Sequence, residues 1–193
     1  MGKVSVIFFF AIALISASAT GAKNASPSSD FIKSSCESTL YPNLCYHCLA
    51  RYAVLVHHND LSLARVALTV TLERARSAQA FVSSMARAKG LRGLEAQAVK
   101  DCIETVGDSV DRLRQSISEL KRADPSVGVD FSFHVSNVQT WVSAALTDED
   151  TCLDGFEGAK GSVKAAIRRR IVDVAQVTSV GLALVNRSVA RHA

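Results

Sequence analysis

Proline and glycine are scarce in this chain, and their scarcity removes most architectures at once. Three prolines and ten glycines occur among 193 residues, so long segments carry no turn chemistry and a fold built from many short strands has nowhere to turn. Strand-like alternation is rare, and the dominant hydrophobic period is helical. Aromatic residues make up 6% of the chain, too few to stack on bases. The basic residues are scattered, the densest run being Lys164 to Arg170. A nucleic-acid partner is therefore disfavoured, and Arg168-Arg169-Arg170 reads as the solvated face of a helix. No G-x-S-x-G, H-E-x-x-H, P-loop or G-x-G-x-x-G motif is present. His47, His57, His58, His134 and His192 accompany no patterned serine or carboxylate, and each reads as a surface residue. The E-x-x-H spacing by which helical bundles hold catalytic metals is missing as well. The expectation is a protein without catalytic chemistry, cofactor or metal site.

What is present begins with the N-terminus. Met1-Gly2-Lys3 is a short basic start, Val4 to Ile15 is almost wholly apolar, and Ala17-Ser18-Ala19 is a small-residue cleavage site. This order predicts a secretory signal peptide over residues 1–19. The apolar run is too short for a membrane anchor, and no later run of about 18 apolar residues exists. A short linker over 20–29 and one domain over 30–193 are expected to follow, since the length suits one domain better than two. Export carries two corollaries. Asn24-Ala25-Ser26 and Asn186-Arg187-Ser188 become candidate glycosylation sites, at Asn24 and Asn186. The five cysteines are read as disulfide formers rather than zinc ligands, with one thiol left over. The formal net charge is +4, one unit lower once Lys3 leaves with the signal.

Four amphipathic segments can be read off directly. Leu61, Leu68, Ala75 and Val82 share one heptad position, and Ala64, Thr71, Ala78 and Met85 share another. Val99, Ile103, Val106, Val110, Leu113, Ile117 and Leu120 alternate spacings of four and three, which places all seven on one stripe of a helix. Lys121-Arg122 suit its C-terminal dipole, and Asp124-Pro125-Ser126-Val127-Gly128 stops it. A third helix is expected from about Ser132, burying Val135, Val138, Val142 and Ala145. A fourth is expected from Ser162 to Ser188, burying Val163, Ile167, Ile171, Val174, Thr178, Gly181 and Val185, with Gly155, Gly158 and Gly161 punctuating its approach. Long helices joined by short loops predict an all-α, antiparallel up-down-up-down four-helix bundle over residues 61–190. Residues 30–58 have a broken helical pattern around Pro42 and read as a short helical hairpin added before it.

Cys36 and Cys45 flank that turn, so a bridge between them would close a small loop. Cys102 and Cys152 fall on the second and third bundle helices. Their bridge would close a loop of about 50 residues, a constraint of roughly 4 kcal/mol on the unfolded chain. Cys48 would then be the free thiol. Two alternatives stay open: a shifted pairing of Cys36 with Cys48, and a C-x-x-C redox or zinc site formed by Cys45 and Cys48 with His57-His58 nearby.

One surface feature asks for a partner. Glu104, Asp108 and Asp111 sit at i, i+4 and i+7, with Asp101 three residues earlier, on one ridge beside the apolar stripe. Like charges at these spacings repel by a few tenths of a kcal/mol per pair. The ridge is either a solvated face eased by Lys100, Arg112 and Arg114, or an acidic docking surface for a basic partner.

Phe31 to Ala53, with Cys36, Pro42, Cys45 and Cys48, resembles the N-terminal hairpin of plant invertase and pectin methylesterase inhibitors. Asp101-Cys102 through Leu113 resembles the second bundle helix of that family. The stretch Gln139-Thr140-Trp141-Val142-Ser143-Ala144-Ala145-Leu146-Thr147, continuing to Thr151-Cys152-Leu153-Asp154-Gly155-Phe156, resembles its third. The resemblance spans essentially the whole mature chain. It implies the bundle-plus-hairpin fold and two target classes. Invertase inhibitors carry Pro-Lys-Phe before the third bundle helix, where this chain has Val129-Asp130-Phe131-Ser132-Phe133. The Ser-Ala-Ala-Leu-Thr stretch is similar to that of the esterase inhibitors, whose acidic and threonine side chains on the second and third helices face the enzyme. The matching residues here are Glu104, Asp108, Asp111, Thr151 and Asp154. The resemblance therefore implies stoichiometric inhibition of pectin methylesterase in the cell wall or apoplast, by a monomer or weak dimer that blocks the pectin-binding cleft. An inhibitor of invertase, or a secreted helical carrier of a small apolar ligand, are the alternatives.

Overall fold

A computed structural model describes residues 27–87, 90–123, 126 and 128–190. In chain order the helices are α1 (Pro27–Cys36), α2 (Pro42–Leu49), a 3-10 turn (Ala50–Tyr52), α3 (Ala53–Val56), α4 (Asp60–Met85), α5 (Gly93–Arg122), α6 (Gly128–Asp154) and α7 (Ser162–Ala190). The signal peptide over 1–19, residues 20–26 with the Asn24 sequon, the turn residues Asp124, Pro125 and Val127, and His192 lie outside the described residues.

Helices α4 to α7 form a ring in which α4 packs on α5 and α7, and α6 packs on α5 and α7. That is the up-down-up-down bundle that the short connections demand. Its interior is made of the periodic positions. On α4, Leu61, Ala64, Leu68, Thr71, Ala75, Ala78 and Val82 are buried, and on α6 so are Val135, Val138, Val142 and Ala145. Met85, Ile103, Ile117 and Val163 on the same stripes are only partly covered, because they lie against the margins of the core.

Three features differ from the sequence reading. Helix α1 begins at Pro27, inside the stretch expected to be linker, with Pro27 at a first helical position where its missing N–H costs nothing. Helix α6 starts at Gly128 rather than near Ser132, because Phe131 is buried against Leu61, Leu120, Val135 and Val185 and draws the first turn into the core. Helices α4 and α7 also carry a second apolar stripe that the heptad register does not contain. Leu63, Ala67 and Val70 of α4 with Val177, Val180 and Leu184 of α7 bury Ile32, Leu49 and Val56 of the hairpin. The hairpin is thus a lid on the α4–α7 seam.

Disulfides join Cys36 to Cys45 and Cys102 to Cys152, and Cys48 is a buried free thiol. Burial pushes the Cys48 thiol above its ordinary range, and the neighbouring Arg74 only partly opposes this. A thiol so held is a poor nucleophile. Packing is close where α7 crosses α4: a Cβ at Gly181 would meet Leu68 Cδ2 at 3.1 Å.

The lid joins the bundle through a tight corner. His57 and His58 both take left-handed backbone conformations (φ 49° and 55°), and Asn59 then caps α4, its side chain accepting the Ser62 N–H at 2.8 Å. Asn59→Ala is expected to cost about 1 kcal/mol, the usual value of a lost N-cap, read as a lower urea midpoint with unchanged slope.

Candidate functional site

Helices α5 and α6 present the acidic ridge, and their antiparallel register decides what lies beside it. The Cys102–Cys152 bridge holds one end. Midway, Arg112 Nε donates to Asp148 Oδ2 at 2.7 Å. At the far end Glu119, 2% exposed, accepts from Arg122, from Asn137 at 2.8 Å and pairs with His134 Nδ1 at 2.9 Å. His134 is therefore a partly buried member of an interhelical cluster and not simply a surface residue. With its Nδ1 proton toward Glu119, the ring adds a third donor to those that Arg122 and Asn137 give the buried carboxylate. These three ties fix the antiparallel register of α5 on α6, and they bring the Asp108 charge within reach of Asp148.

All five residues singled out from the sequence are exposed: Glu104, Asp108 and Asp111 on α5, Thr151 and Asp154 on α6. Asp111 is held by Arg114 at 2.5 Å, an exposed pair one turn apart, and Asp101 accepts from Gln97 at 2.7 Å. Thr151 donates to the Thr147 carbonyl at 2.7 Å, which orients its methyl group and leaves its oxygen lone pairs outward. All five side chains are thus open to solvent, three along one ridge of α5 and two, three positions apart, on α6. Phe133, at the start of α6, is 62% exposed and lies at the other end of that helix from Thr151.

Two acidic residues of α6 escaped the sequence reading. Burial holds the Asp148 carboxyl above its usual range. The Arg112 guanidinium works against that shift, and the charge of Asp108 adds to it. Glu149 next to it is fully buried. Its Oε1 accepts from Ser109 of α5 at 2.8 Å and lies 2.9 Å from the Thr178 hydroxyl of α7, while Oε2 has no partner. Desolvation outweighs those two hydrogen bonds, and with smaller contributions from Asp150 and Asp148 the Glu149 carboxyl is pushed up to about 8 from 4.5. It is a neutral acid in mildly acidic solution. The signal was available: the buried series Val138, Val142, Ala145 continues with a step of four to 149 and of three to Cys152.

Asn186 is exposed on α7, where its Oδ1 accepts from Gln139 at 2.8 Å. Ser188 of the same sequon is fully buried and donates to the Val185 carbonyl. A glycan on Asn186 would have to be attached before α7 packs. No helix among the described residues is long and apolar enough to cross a membrane.

Comparison with known proteins agrees with this architecture. A crystal structure of a pectin methylesterase inhibitor from Arabidopsis thaliana superposes with a TM-score of 0.56 at 22% identity, covering 82% of this chain and 96% of that one. A mutant form of a pectin methylesterase inhibitor from Arabidopsis gives 0.63 at 21% identity, covering 78% and 92%. These likenesses concern the fold. Sequence likeness is closer. Pectinesterase inhibitor 9 of Arabidopsis thaliana is 51% identical over 187 residues, 94% of this chain and 91% of its own length. The 21 kDa protein of Daucus carota is 45% identical over 190 residues, 97% of this chain and 96% of its own. The family model for plant invertase/pectin methylesterase inhibitors matches residues 30–184. With a match over most of its length, and with the bundle, lid and disulfides described above, this chain belongs to the plant invertase/pectin methylesterase inhibitor family.

Proposed function

We propose that this protein is a secreted, non-catalytic inhibitor of pectin methylesterase that lays its α5–α6 edge across the pectin-binding cleft of the enzyme. The observation that supports the reading is exposure of the acidic ridge: Glu104, Asp108 and Asp111 stand open to solvent on one helix, and Thr151 and Asp154 are exposed on the helix packed against it. A row of carboxylates on a disulfide-tied helix pair cannot relax away from its like charges. Opposite charges on a partner would relieve that repulsion and set the register of docking. The names borne by the relatives, pectinesterase inhibitors 9 and 11 among them, point to the same enzyme. The N-terminal sequence pattern supports export to the cell wall.

An invertase target has less support. The Pro-Lys-Phe motif is absent, and the corresponding stretch is the first turns of α6, with Phe131 turned into the core. A carrier of apolar ligands needs an internal cavity. The apolar gap beneath the lid, lined by Leu44, Cys45, Cys48, Leu49, Ala67 and Val177, has no room for even a water molecule.

Residual activity of a pectin methylesterase and of a cell-wall invertase, each titrated with the purified protein at mildly acidic pH, tests the reading. Esterase activity is expected to fall linearly to an equivalence point near one inhibitor per enzyme, with invertase untouched. Full esterase activity in large molar excess, or loss of invertase activity alone, would overturn it.

A further inference from the structure

We propose that the open groove between α4 and α7 is a second binding site, one that holds a linear polyuronate by its carboxylates while the α5–α6 edge engages another protein. The groove has a volume of about 440 Å³ where Arg74, Arg169, Arg170 and Asp173 line it. It continues along α7 into a shallower depression of about 490 Å³ bounded by Ala165, Arg168, Arg169, Val172, Gln176 and the same Asp173. At 1.5 Å of rise per residue, Ala165 to Gln176 spans about 16 Å, room for several sugar rings laid end to end.

Its charge is unbalanced. Arg74 Nη1 donates to both oxygens of Asp173, at 2.8 and 2.6 Å, so these two cancel. Arg168, Arg169 and Arg170 are exposed and have no acidic partner among the described residues. Consecutive positions on a helix point about 100° apart, so Arg169 and Arg170 line the groove and Arg168 and Arg169 the depression beside it; Arg170 is further fixed over the Phe81 ring of α4 at 5.3 Å. An external anion would supply the partner that these guanidiniums lack. The Arg74–Asp173 pair shows which anion the groove suits: a carboxylate held at both oxygens by a guanidinium already sits on its floor.

The shape decides the rest. An open, elongated channel does not bury a small solute, but it lets a chain make several weak ionic contacts at once. A nucleic acid would need rings to stack on, and the nearby Phe81 is already covered by Arg170. In the bundle ring α4–α7 is the pair opposite α5–α6, so both faces can be occupied together. The biological setting rests on the proposed function: an esterase that removes methyl groups from pectin leaves galacturonate carboxylates along the polymer. The inhibitor would then be retained where its target has acted.

The test uses the full chain, produced as a secreted protein, on immobilised polygalacturonate and on fully methyl-esterified pectin. Retention on the former, weakening with added salt, and none on the uncharged polymer are expected. Arg168→Gln with Arg169→Gln is expected to lower polygalacturonate affinity about ten-fold, the effect of two exposed charge pairs. Lys33→Gln with Arg51→Gln has the same net charge and should bind like the unaltered protein. Matching thermal midpoints would show that all forms are folded, and esterase inhibition is expected to be equal in all three. No retention on polygalacturonate, equal retention on both polymers, equal losses in both double variants, or tighter binding of duplex DNA at the same ionic strength would each overturn the proposal. Because inhibition is read separately, a failed groove leaves the inhibitor reading standing, and failed inhibition leaves the groove standing.

Discussion

Replacing Asp108 and Asp111 together by lysine is expected to abolish pectin methylesterase inhibition while leaving the protein folded. Both side chains are exposed on α5 and neither supports the core. The one ion pair lost is Asp111–Arg114, more than half exposed on both sides, and pairs of that kind contribute little to stability. Removing the Asp108 charge also relieves Asp148, which feels it as a repulsion. Unfolding midpoints should therefore stay within about 0.5 kcal/mol of the unaltered protein, as for most surface changes. Across an interface the same exchange turns two attractions of the row into two repulsions. Losses of 100-fold or more in inhibition constant, about 2.7 kcal/mol, are expected. Asp108→Asn with Asp111→Asn should fall between, since it removes attraction without adding repulsion. Full potency in the lysine double variant would take the ridge out of the interface.

Glu149 makes the second prediction, and here the sign is decisive. Its carboxyl is pushed up to about 8 in the folded protein by burial, against 4.5 as the ordinary value. Below pH 4.5 it is protonated whether or not the chain is folded, and its contribution to stability is fully present. Between 4.5 and 8 only the folded state keeps the proton, so stability falls as pH rises, by up to about 1.4 kcal/mol per pH unit. Above about 8 the contribution is gone. Denaturant unfolding at pH 5 and pH 8.5 is expected to differ by a few kcal/mol, with the acid form the more stable. Glu149→Gln keeps an acceptor for Ser109 and Thr178 but has no proton to lose, and should flatten that difference. Parallel pH profiles in the two proteins would show that the drop comes from elsewhere. The effect bears on the α5–α6 pair, because Glu149 is tied to Ser109 of α5 and feels the charges of Asp148 and Asp150. An anion formed there would loosen the packing of α5 on α6.

Much of the bundle was legible because it depends on one helix at a time. The series from Val99 to Leu120 announces a buried stripe wherever the helix is placed, and the spacing of Glu104, Asp108 and Asp111 puts them on one ridge for the same reason. The start of α6 was misplaced because Phe131 is separated from the Val135 series by a single step and follows residues with turn chemistry. Only its burial against Leu61 and Val185 shows that it begins the stripe. His134 looked like a surface residue because nothing local marks Glu119, fifteen positions away, as its partner. Glu149 was hidden for a different reason: the residue type spoke louder than the period, and the flanking aspartates made it look solvated.

What the chain settled alone was therefore the set of helices, their inward faces and the acid row, since rise and twist are the same in every α-helix. What only the packed molecule decided was how faces from different helices meet: Glu149 against Ser109, the lid over the α4–α7 seam, and the groove assembled from Arg74, Arg169 and Arg170. Those relations depend on the register between neighbours. Close packing of the core and the Cys102–Cys152 bridge set that register, and no local period encodes it.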